Sequence, residues 1–252
     1  MQFRSFAAIG DSFTEGVGDE PAEGVVRGWA DFVAQGLALQ LAQAHPDAVF
    51  GYANLAIRGR LLGPIVDEQL EPAIALGPEL LSMNGGGNDI MRPKVAVETI
   101  AAKLSDAAQR AVDAGIHVLL LSGGNPTRHL PMGARIQERG EQLAVEVRAR
   151  APKQGVTFVD NWADAELTEL RHWSVDKLHL NALGHRKVAT NVLTALGVAV
   201  PEWDELAEEL QRPGTLAYWR DYVVPWIGRR VTGRSSGDGR EPKRATLLPV
   251  EL

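Results

Sequence analysis

Side chains suited to acyl transfer follow several short apolar segments of this sequence. Gly-Asp-Ser, ending at Ser12, comes after the first segment, and Asn88 comes after the third. Asp176 and His179 lie in the polar stretch after the fifth. A serine hydroxyl needs an imidazole to accept its proton, the imidazole needs a carboxylate to fix its tautomer, and amide N–H groups can stabilise the oxyanion. These residue types together predict an acyl-transfer site, provided that the fold brings them together.

Each of these residues also has an ordinary structural interpretation. Ser12 could cap the helix that follows a strand, or contact a phosphate group. Asp176 and His179 could form a surface pair near a helix start. Asn88 could stabilise its own turn, and Gly59 could be a turn glycine. The residues taken one at a time do not decide between these roles, whereas their combination favours catalysis.

Five short apolar segments predict β-strands, and longer segments with helical spacing lie between them. Strands that alternate with helices imply right-handed βαβ units and a parallel sheet. Because ligands bind beyond the carboxyl ends of such strands, the polar residues that follow them can share one site. We therefore predict a three-layer α/β sandwich. The predicted strands are residues 3–9, 49–57, 80–84, 117–122 and 156–159, and the main predicted helices are residues 29–44, 95–114 and 135–151.

The composition of the sequence changes after residue 200. Residues 1–200 are predicted to form the catalytic domain. Residues 201–231 contain three of the six tryptophans and predict two short helices, broken at Pro213-Gly214, that pack on this domain as an extension. A lid over a pocket is a second interpretation of the extension. Residues 232–252 are rich in Gly, Ser, Pro and charge, and we predict a flexible tail there.

Composition limits the classes of function. The 252 residues include no cysteine, so disulfides, thiol catalysis and cysteine-based zinc sites are excluded. The net charge of −6 argues against a general nucleic-acid-binding protein. The first residues lack the apolar core of a signal peptide, and no segment approaches the ~20 apolar residues that span a bilayer. We expect a cytoplasmic protein with a small-molecule partner, and the sequence leaves the oligomeric state open.

Four ordered blocks of the sequence resemble those of the SGNH hydrolases, the GDSL-type esterases and lipases. They are GDSFTEG, the glycine of NLAIRG, GGND, and DKLH followed by LNALGH, and they extend from residue 10 to about residue 185. Phe13 stands where the family name has leucine, which is a mild change. The resemblance implies a flavodoxin-like α/β/α sandwich with a mainly parallel five-stranded sheet.

The resemblance also implies a role for each matching residue. Ser12 would be the nucleophile and His179 the base, with Asp176 orienting the imidazole. The backbone N–H groups of Ser12 and Gly59 and the side-chain amide of Asn88 would form the oxyanion hole. No cofactor and no metal ion are implied. The implied function is a serine-dependent carboxylic ester hydrolase that acts through an acyl-serine intermediate on a small or medium acyl ester.

Three alternatives remain beside this interpretation. An acyltransferase or deacetylase acting on a carbohydrate or another alcohol would use the same site. A flavodoxin-like nucleotide-binding module would use residues 12–16 as a phosphate cradle, and would leave Asn88 and the later histidine without a role. A zinc hydrolase would use His179, His185 and Asp176, but the i, i+4 spacing of helical ligand pairs is missing.

Other polar residues in or near these blocks are predicted to be structural. Asp11 and Asp89 lie inside two of the blocks, and we expect both to anchor loops. His185 is predicted to lie on the side of a helix, and His117, within a predicted strand, is predicted to be structural.

Overall fold

A six-stranded mixed sheet forms the centre of the molecule. The structure is a computed structural model that describes residues 2–92, 94–130, 133–203, 212–225, 228 and 235–252. The strand order is β5-β4-β3-β1-β2-β6, and the first five strands are parallel. The strands are β1 (Ser5–Ile9), β2 (Gly51–Asn54), β3 (Leu80–Met83), β4 (His117–Leu121), β5 (Val156–Val159) and β6 (Arg244–Pro249).

The helices connect the parallel strands and cover both faces of the sheet. The three long helices predicted from the spacing of apolar residues are present, and their bounds differ from the prediction by at most two residues. The helices are α1 (Ser12–Glu15), α2 (Trp29–Ala44), α3 (Leu62–Pro64), α4 (Leu70–Ala75), α5 (Gly87–Ile90), α6 (Val97–Asp113), α7 (Gly133–Arg150), α8 (Ala182–Leu196) and α9 (Thr215–Tyr218). A π-helical turn, Ile65–Gln69, joins α3 to α4, and a second one, Trp219–Val223, follows α9.

Two apolar layers form because successive side chains of a strand point to opposite faces. Phe6 and Ala8 of β1 join the core cluster that α2 and α8 contribute to, whereas Ala7 and Ile9 join the cluster under α4, α6 and α7. All four side chains are buried. The predicted three-layer α/β/α sandwich is therefore confirmed, with the central strands β1, β3 and β4 buried on both faces.

Strand β6 was not predicted, and it corrects our expectation of a flexible tail. Residues 244–249 pair antiparallel with β2, at the edge of the sheet. The guanidinium group of Arg244 donates a hydrogen bond to the carbonyl of Tyr52 at 2.8 Å and lies 5.4 Å from the centre of its ring. Leu247 packs against the second core cluster. The prediction was wrong for these residues because their composition suggested little to bury, while β2 offers an open edge for backbone pairing.

The residues that lead into β6 also contact the body of the protein. The Lys243 ammonium group donates to the carbonyls of Glu15 and Val26, at 2.6 and 3.1 Å, and to the carboxylate of Asp31 at 2.6 Å. A Cβ atom at Gly237 would overlap the carbonyl oxygen of Arg58, so the backbone approaches closely there. Residues 235–252 are thus held at several points.

The described part of the extension packs on residues that precede it in the sequence. The ring of Trp203 contacts Phe32 of α2, edge to face, with 5.1 Å between ring centres. Pro213 and Gly214 precede α9, as the predicted break requires. The first predicted helix falls largely on residues 204–211, which lie outside the described residues, as does Trp226. Among the helices that the structure describes, none is long and apolar enough to cross a membrane.

We predict that Lys243→Ala lowers the free energy of unfolding by about 1–3 kcal/mol, because hydrogen bonds of a charged donor to two carbonyls and a carboxylate are lost. Urea unfolding of the full chain measures this. Lys153→Ala is the matched control, since Lys153 is exposed, and it is expected to leave stability within about 0.5 kcal/mol of the wild type. Equal stability of the two variants would contradict the anchoring role of Lys243.

Candidate active site

The turn after β1 places Ser12 at the first position of helix α1. The N-cap of α1 is Asp11, whose Oδ1 accepts a hydrogen bond from the Phe13 N–H at 3.1 Å. The side-chain amide of Gln69 fixes the preceding peptide, because it accepts from Gly10 N at 2.8 Å and donates to Gly10 O at 3.0 Å. Asp11 therefore performs the capping that we considered for Ser12, and the helix does not need the serine hydroxyl for that purpose.

Asp176 and His179 form a directly bonded pair. Nδ1 of His179 lies 2.6 Å from Oδ2 of Asp176. The other carboxylate oxygen accepts from the Ser174 hydroxyl at 2.7 Å and from the backbone N–H groups of Leu178 and His179, both at 2.9 Å. These donors fix the carboxylate. The proton of the neutral imidazole then lies on Nδ1, and Nε2 is the basic nitrogen.

The pair shifts both pKa values. Burial alone would raise the pKa of Asp176, but hydrogen bonds and the charge of His179 outweigh burial and hold this pKa well below its usual range. Burial alone would lower the pKa of His179, but the hydrogen bond and charge of Asp176, assisted by Asp11, outweigh burial and raise it. The arrangement stabilises the imidazolium ion that a general base becomes.

Ser12, Asn88 and His179 line one cavity. Its volume is about 140 Å³, and its mouth is lined by residues that follow β1, β3 and β4, including Asn84 and Ser122. The carboxyl ends of parallel strands meet at one edge of the sheet, which explains how residues far apart in the sequence share this cavity. The predicted nucleophile and base thus face the same space.

The amide group of Asn88 is already engaged. Its Nδ2 donates to Oδ2 of Asp11 at 3.1 Å and to the carbonyl of Arg60 at 3.0 Å. These two bonds account for both amide hydrogens. An oxyanion in the cavity would have to share or replace one of these acceptors to be bound by Asn88. Sequence reasoning gave no signal for this arrangement, because the partners lie on two other loops.

Asp11 is a buried acid at the centre of this network. Burial raises its pKa to about 6, although its hydrogen bond from Phe13 and the charge of His179 act in the opposite direction. Its two oxygens hold the start of α1 and the Asn88 amide. Asp89 has a comparable loop contact, since it accepts from the Leu62 N–H at 3.0 Å. Both residues make the loop-anchoring contacts that the sequence predicts for them.

Gly59 is not among the described residues that line the cavity. Its φ is +73°, which favours glycine, and a Cβ atom there would meet the hydroxyl groups of Ser235 and Ser236. The preceding residue, Arg58, is held by Glu15 of α1: its backbone N–H lies 2.6 Å and its Nε 2.8 Å from the carboxylate oxygens. The turn that carries Gly59 is thus fixed to the helix that carries Ser12.

A family of known proteins matches the part of the sequence that contains this site. A model described as the GDSL-like lipase/acylhydrolase family matches residues 8–187, which include the whole site described above. The chain belongs to this family. As a member of the GDSL-like hydrolases it is an enzyme that hydrolyses ester bonds. The resemblance seen in the four sequence blocks is confirmed.

Solved structures support the fold of this GDSL-like hydrolase. The lipase Lip_vut3 from a goat rumen metagenome has 16% sequence identity and a TM-score of 0.62, and the match covers 76% of this chain and 96% of that one. A variant of the acetylxylan esterase Axe2 from Geobacillus stearothermophilus has 18% identity, a TM-score of 0.60 and coverages of 80% and 97%. TesA has 22% identity, a TM-score of 0.57 and coverages of 76% and 97%. A comparison with curated protein sequences found no match.

His185 has a structural role in this GDSL-like hydrolase. Its Nδ1 accepts a hydrogen bond from the Trp29 N–H at 3.2 Å, and its Nε2 lies 3.3 Å from the Val17 carbonyl. Burial lowers its pKa to about 3. Both ring nitrogens are thus occupied by backbone groups, which removes a ligand from the zinc alternative. Within the part of the chain that the structure describes, no three potential ligands cluster as a metal site.

The extension contacts the turn that carries Asp176 and His179. The Arg212 guanidinium group donates to the carbonyls of three residues before this turn at 2.7–2.8 Å. The Tyr218 hydroxyl donates to the carbonyl of Asp176 at 3.2 Å. Lys177 has a φ of +60°, and its ammonium group lies 4.3 Å from the centre of the Tyr218 ring. The carbonyls that Arg212 contacts are those of Leu170, Trp173 and Ser174.

The described residues of the extension line no part of the cavity. They contact the Asp176–His179 turn and the residues before it. The strained backbone at Lys177 needs support from its surroundings. Arg212 and Tyr218 supply that support, a role that the Trp-rich composition alone did not indicate.

We predict that Tyr218→Phe lowers kcat about threefold to tenfold for an acetyl ester, because the turn loses a hydrogen bond worth about 0.5–1.5 kcal/mol. The matched control is Tyr222→Phe, since Tyr222 stacks on Tyr218 with 6.0 Å between ring centres but has no bond to the turn. Steady-state kinetics separate kcat from KM. A loss of thermal stability in Tyr218→Phe without a change in kcat would contradict a positioning role.

Proposed function

We propose that this GDSL-like hydrolase is a serine-dependent carboxylic ester hydrolase in which Ser12 is the nucleophile. The observation that carries the proposal is the His179–Asp176 pair, bonded at 2.6 Å, at a cavity that Ser12 also lines. His179 is the general base and Asp176 orients it. The proposal is supported by the family match and by the fact that Asp11, and not Ser12, caps helix α1.

The reaction begins when Nε2 of His179 accepts the proton of the Ser12 hydroxyl. Oγ then attacks the ester carbonyl carbon, and the carbonyl becomes a tetrahedral oxyanion. The imidazolium ion returns the proton to the leaving alcohol as the carbon–oxygen bond breaks, which leaves an acyl-serine. A water molecule, deprotonated by the same imidazole, attacks the acyl group, and the carboxylic acid leaves with Ser12 restored.

The proposed oxyanion hole consists of the backbone N–H groups of Ser12 and Gly59 and the amide of Asn88. The Ser12 N–H lies in the first turn of α1, where N–H groups lack an intrahelical acceptor. The Asn88 amide contributes by sharing one of its present hydrogen bonds with the oxyanion. Because Asp11 accepts one of them, protonation of that buried carboxyl weakens its hold on the amide.

The first prediction of the proposal concerns Ser12→Ala. This variant should lose turnover of short p-nitrophenyl esters and labelling by a fluorophosphonate probe, since the proposed nucleophile is removed. Ser105→Ala is the control, because the Ser105 hydroxyl bonds to the Arg150 carbonyl on α7, away from the site. Circular dichroism and thermal unfolding verify that both variants are folded. Turnover by folded Ser12→Ala would disprove the serine mechanism, and product analysis with an added alcohol separates hydrolysis from acyl transfer.

The second prediction concerns pH. The basic form of His179 is required. Burial and Arg58 lower the pKa of His179, but the hydrogen bond and charge of Asp176 and the charge of Asp11 raise it by more, with a net rise. The acid limb of kcat/KM should therefore have its midpoint above 6.5, the ordinary value for histidine. Asp176→Asn should move this midpoint to lower pH and reduce kcat by about 10⁴-fold, as the loss of a tautomer-fixing carboxylate does elsewhere.

The pH–rate profiles of the wild type and Asp176→Asn measure both effects. Asp164→Asn is the control, because Asp164 is bonded to Asn191 and Lys187, outside the cavity. An unchanged acid limb in Asp176→Asn would contradict the assignment of Asp176 as the partner of the catalytic base.

A further inference from the structure

The cavity that begins at Ser12 continues inward beneath helix α7. One stripe of that helix lines it, with Ile136, Gly140, Leu143, Ala144 and Val147 at helical spacing. Because α7 joins the parallel strands β4 and β5, it runs from the carboxyl edge of the sheet toward the amino edge. The later residues of the stripe therefore lie deeper than the earlier ones.

Among the described residues that line this cavity, groups that can carry charge lie near Ser12. They belong to Asp11 and His179. The deeper wall opposite α7 includes Leu104 of α6 and Phe158 of β5. These apolar side chains offer no partners for hydroxyl or ionic groups, which are costly to bury without hydrogen bonds. Trp162, which also lines the cavity, adds one polar group, an indole N–H that has no hydrogen-bond partner among the described residues. The deeper wall fits an apolar chain.

Two small residues on α7, Gly140 and Ala144, leave room next to the helix backbone. A Cβ atom at Gly140 would overlap the ring of Trp162, so this tryptophan lies directly against the helix backbone. Ala144, one turn further, is buried and has only a methyl group to place in the cavity. The depth available beneath α7 thus depends on the side chain at position 144.

We propose that this cavity is the acyl-binding subsite and that it takes an unbranched acyl chain of about six to eight carbons, tail first. The proposal rests on the proposed function, since it places the ester carbonyl at Ser12. The volume of about 140 Å³ is close to that of an apolar cavity that holds one benzene molecule, which has six carbons. Longer chains leave the cavity or require it to expand.

Esters graded by acyl length test this assignment. In the wild type, kcat/KM for p-nitrophenyl esters should rise about fourfold for each added methylene, the fold-change that corresponds to ~0.8 kcal/mol of burial, and then fall beyond about eight carbons. Ala144→Phe should lower kcat/KM for the hexanoyl ester at least tenfold relative to the acetyl ester. Turnover of the acetyl ester verifies that the catalytic residues of the variant are intact.

Val145→Phe is the matched control, because Val145 neighbours Ala144 on the same helix but its side chain is 66% exposed. It should leave the chain-length profile unchanged. Val147→Ala enlarges the deep end and should move the optimum to longer chains, which tests the proposal even if Ala144→Phe does not fold. A wild-type optimum at acetyl, or a profile that Ala144→Phe and Val147→Ala leave unchanged, would overturn the assignment.

Different results would contradict the serine mechanism and the acyl-binding subsite. If Ser12→Ala keeps its turnover, the serine mechanism fails whatever the chain-length profile is. If Ser12→Ala is inactive while substitutions at positions 144 and 147 do not change acyl preference, the mechanism stands and the acyl subsite is wrong.

Discussion

The site depends on one constraint, that the carboxyl ends of parallel strands lie at the same edge of the sheet. Ser12 follows β1, Asn88 follows β3, and the Asp176–His179 turn follows β5, so each arrives at this edge by a different crossover. The sequence around each strand has only to place a polar turn at the end of that strand. The parallel order of the strands then assembles the cavity.

Carboxylates hold several loops at this edge of the sheet. Asp11 connects the first turn of α1 to the Asn88 amide, Asp89 accepts from the Leu62 N–H, and Glu15 accepts from Arg58. These acids belong to the same sequence blocks as the residues with proposed catalytic roles. Their carboxylates act on the geometry of their neighbours, and the raised pKa of Asp11 makes that geometry sensitive to pH near 6.

The sequence predicts the fold well where patterns are local. Apolar segments and helical spacing locate five strands and three long helices, and a resemblance in four blocks indicates the residues of the site. Strand β6 escaped prediction because pairing to an open edge depends on a distant partner and not on its own composition. The engaged amide of Asn88 and the contact of Gly59 with Ser235 and Ser236 arise from contacts between loops, which spacing along the chain does not encode.

Strand β6 also determines how this side of the sheet meets other molecules. Without it, β2 would present unpaired N–H and C=O groups, a surface on which strands of other chains can add. β6 takes that position itself, and it is a poor template for further growth, because Pro249 has no N–H to donate and Arg244 carries charge. The antiparallel strand therefore terminates the sheet and protects the enzyme from edge-to-edge aggregation.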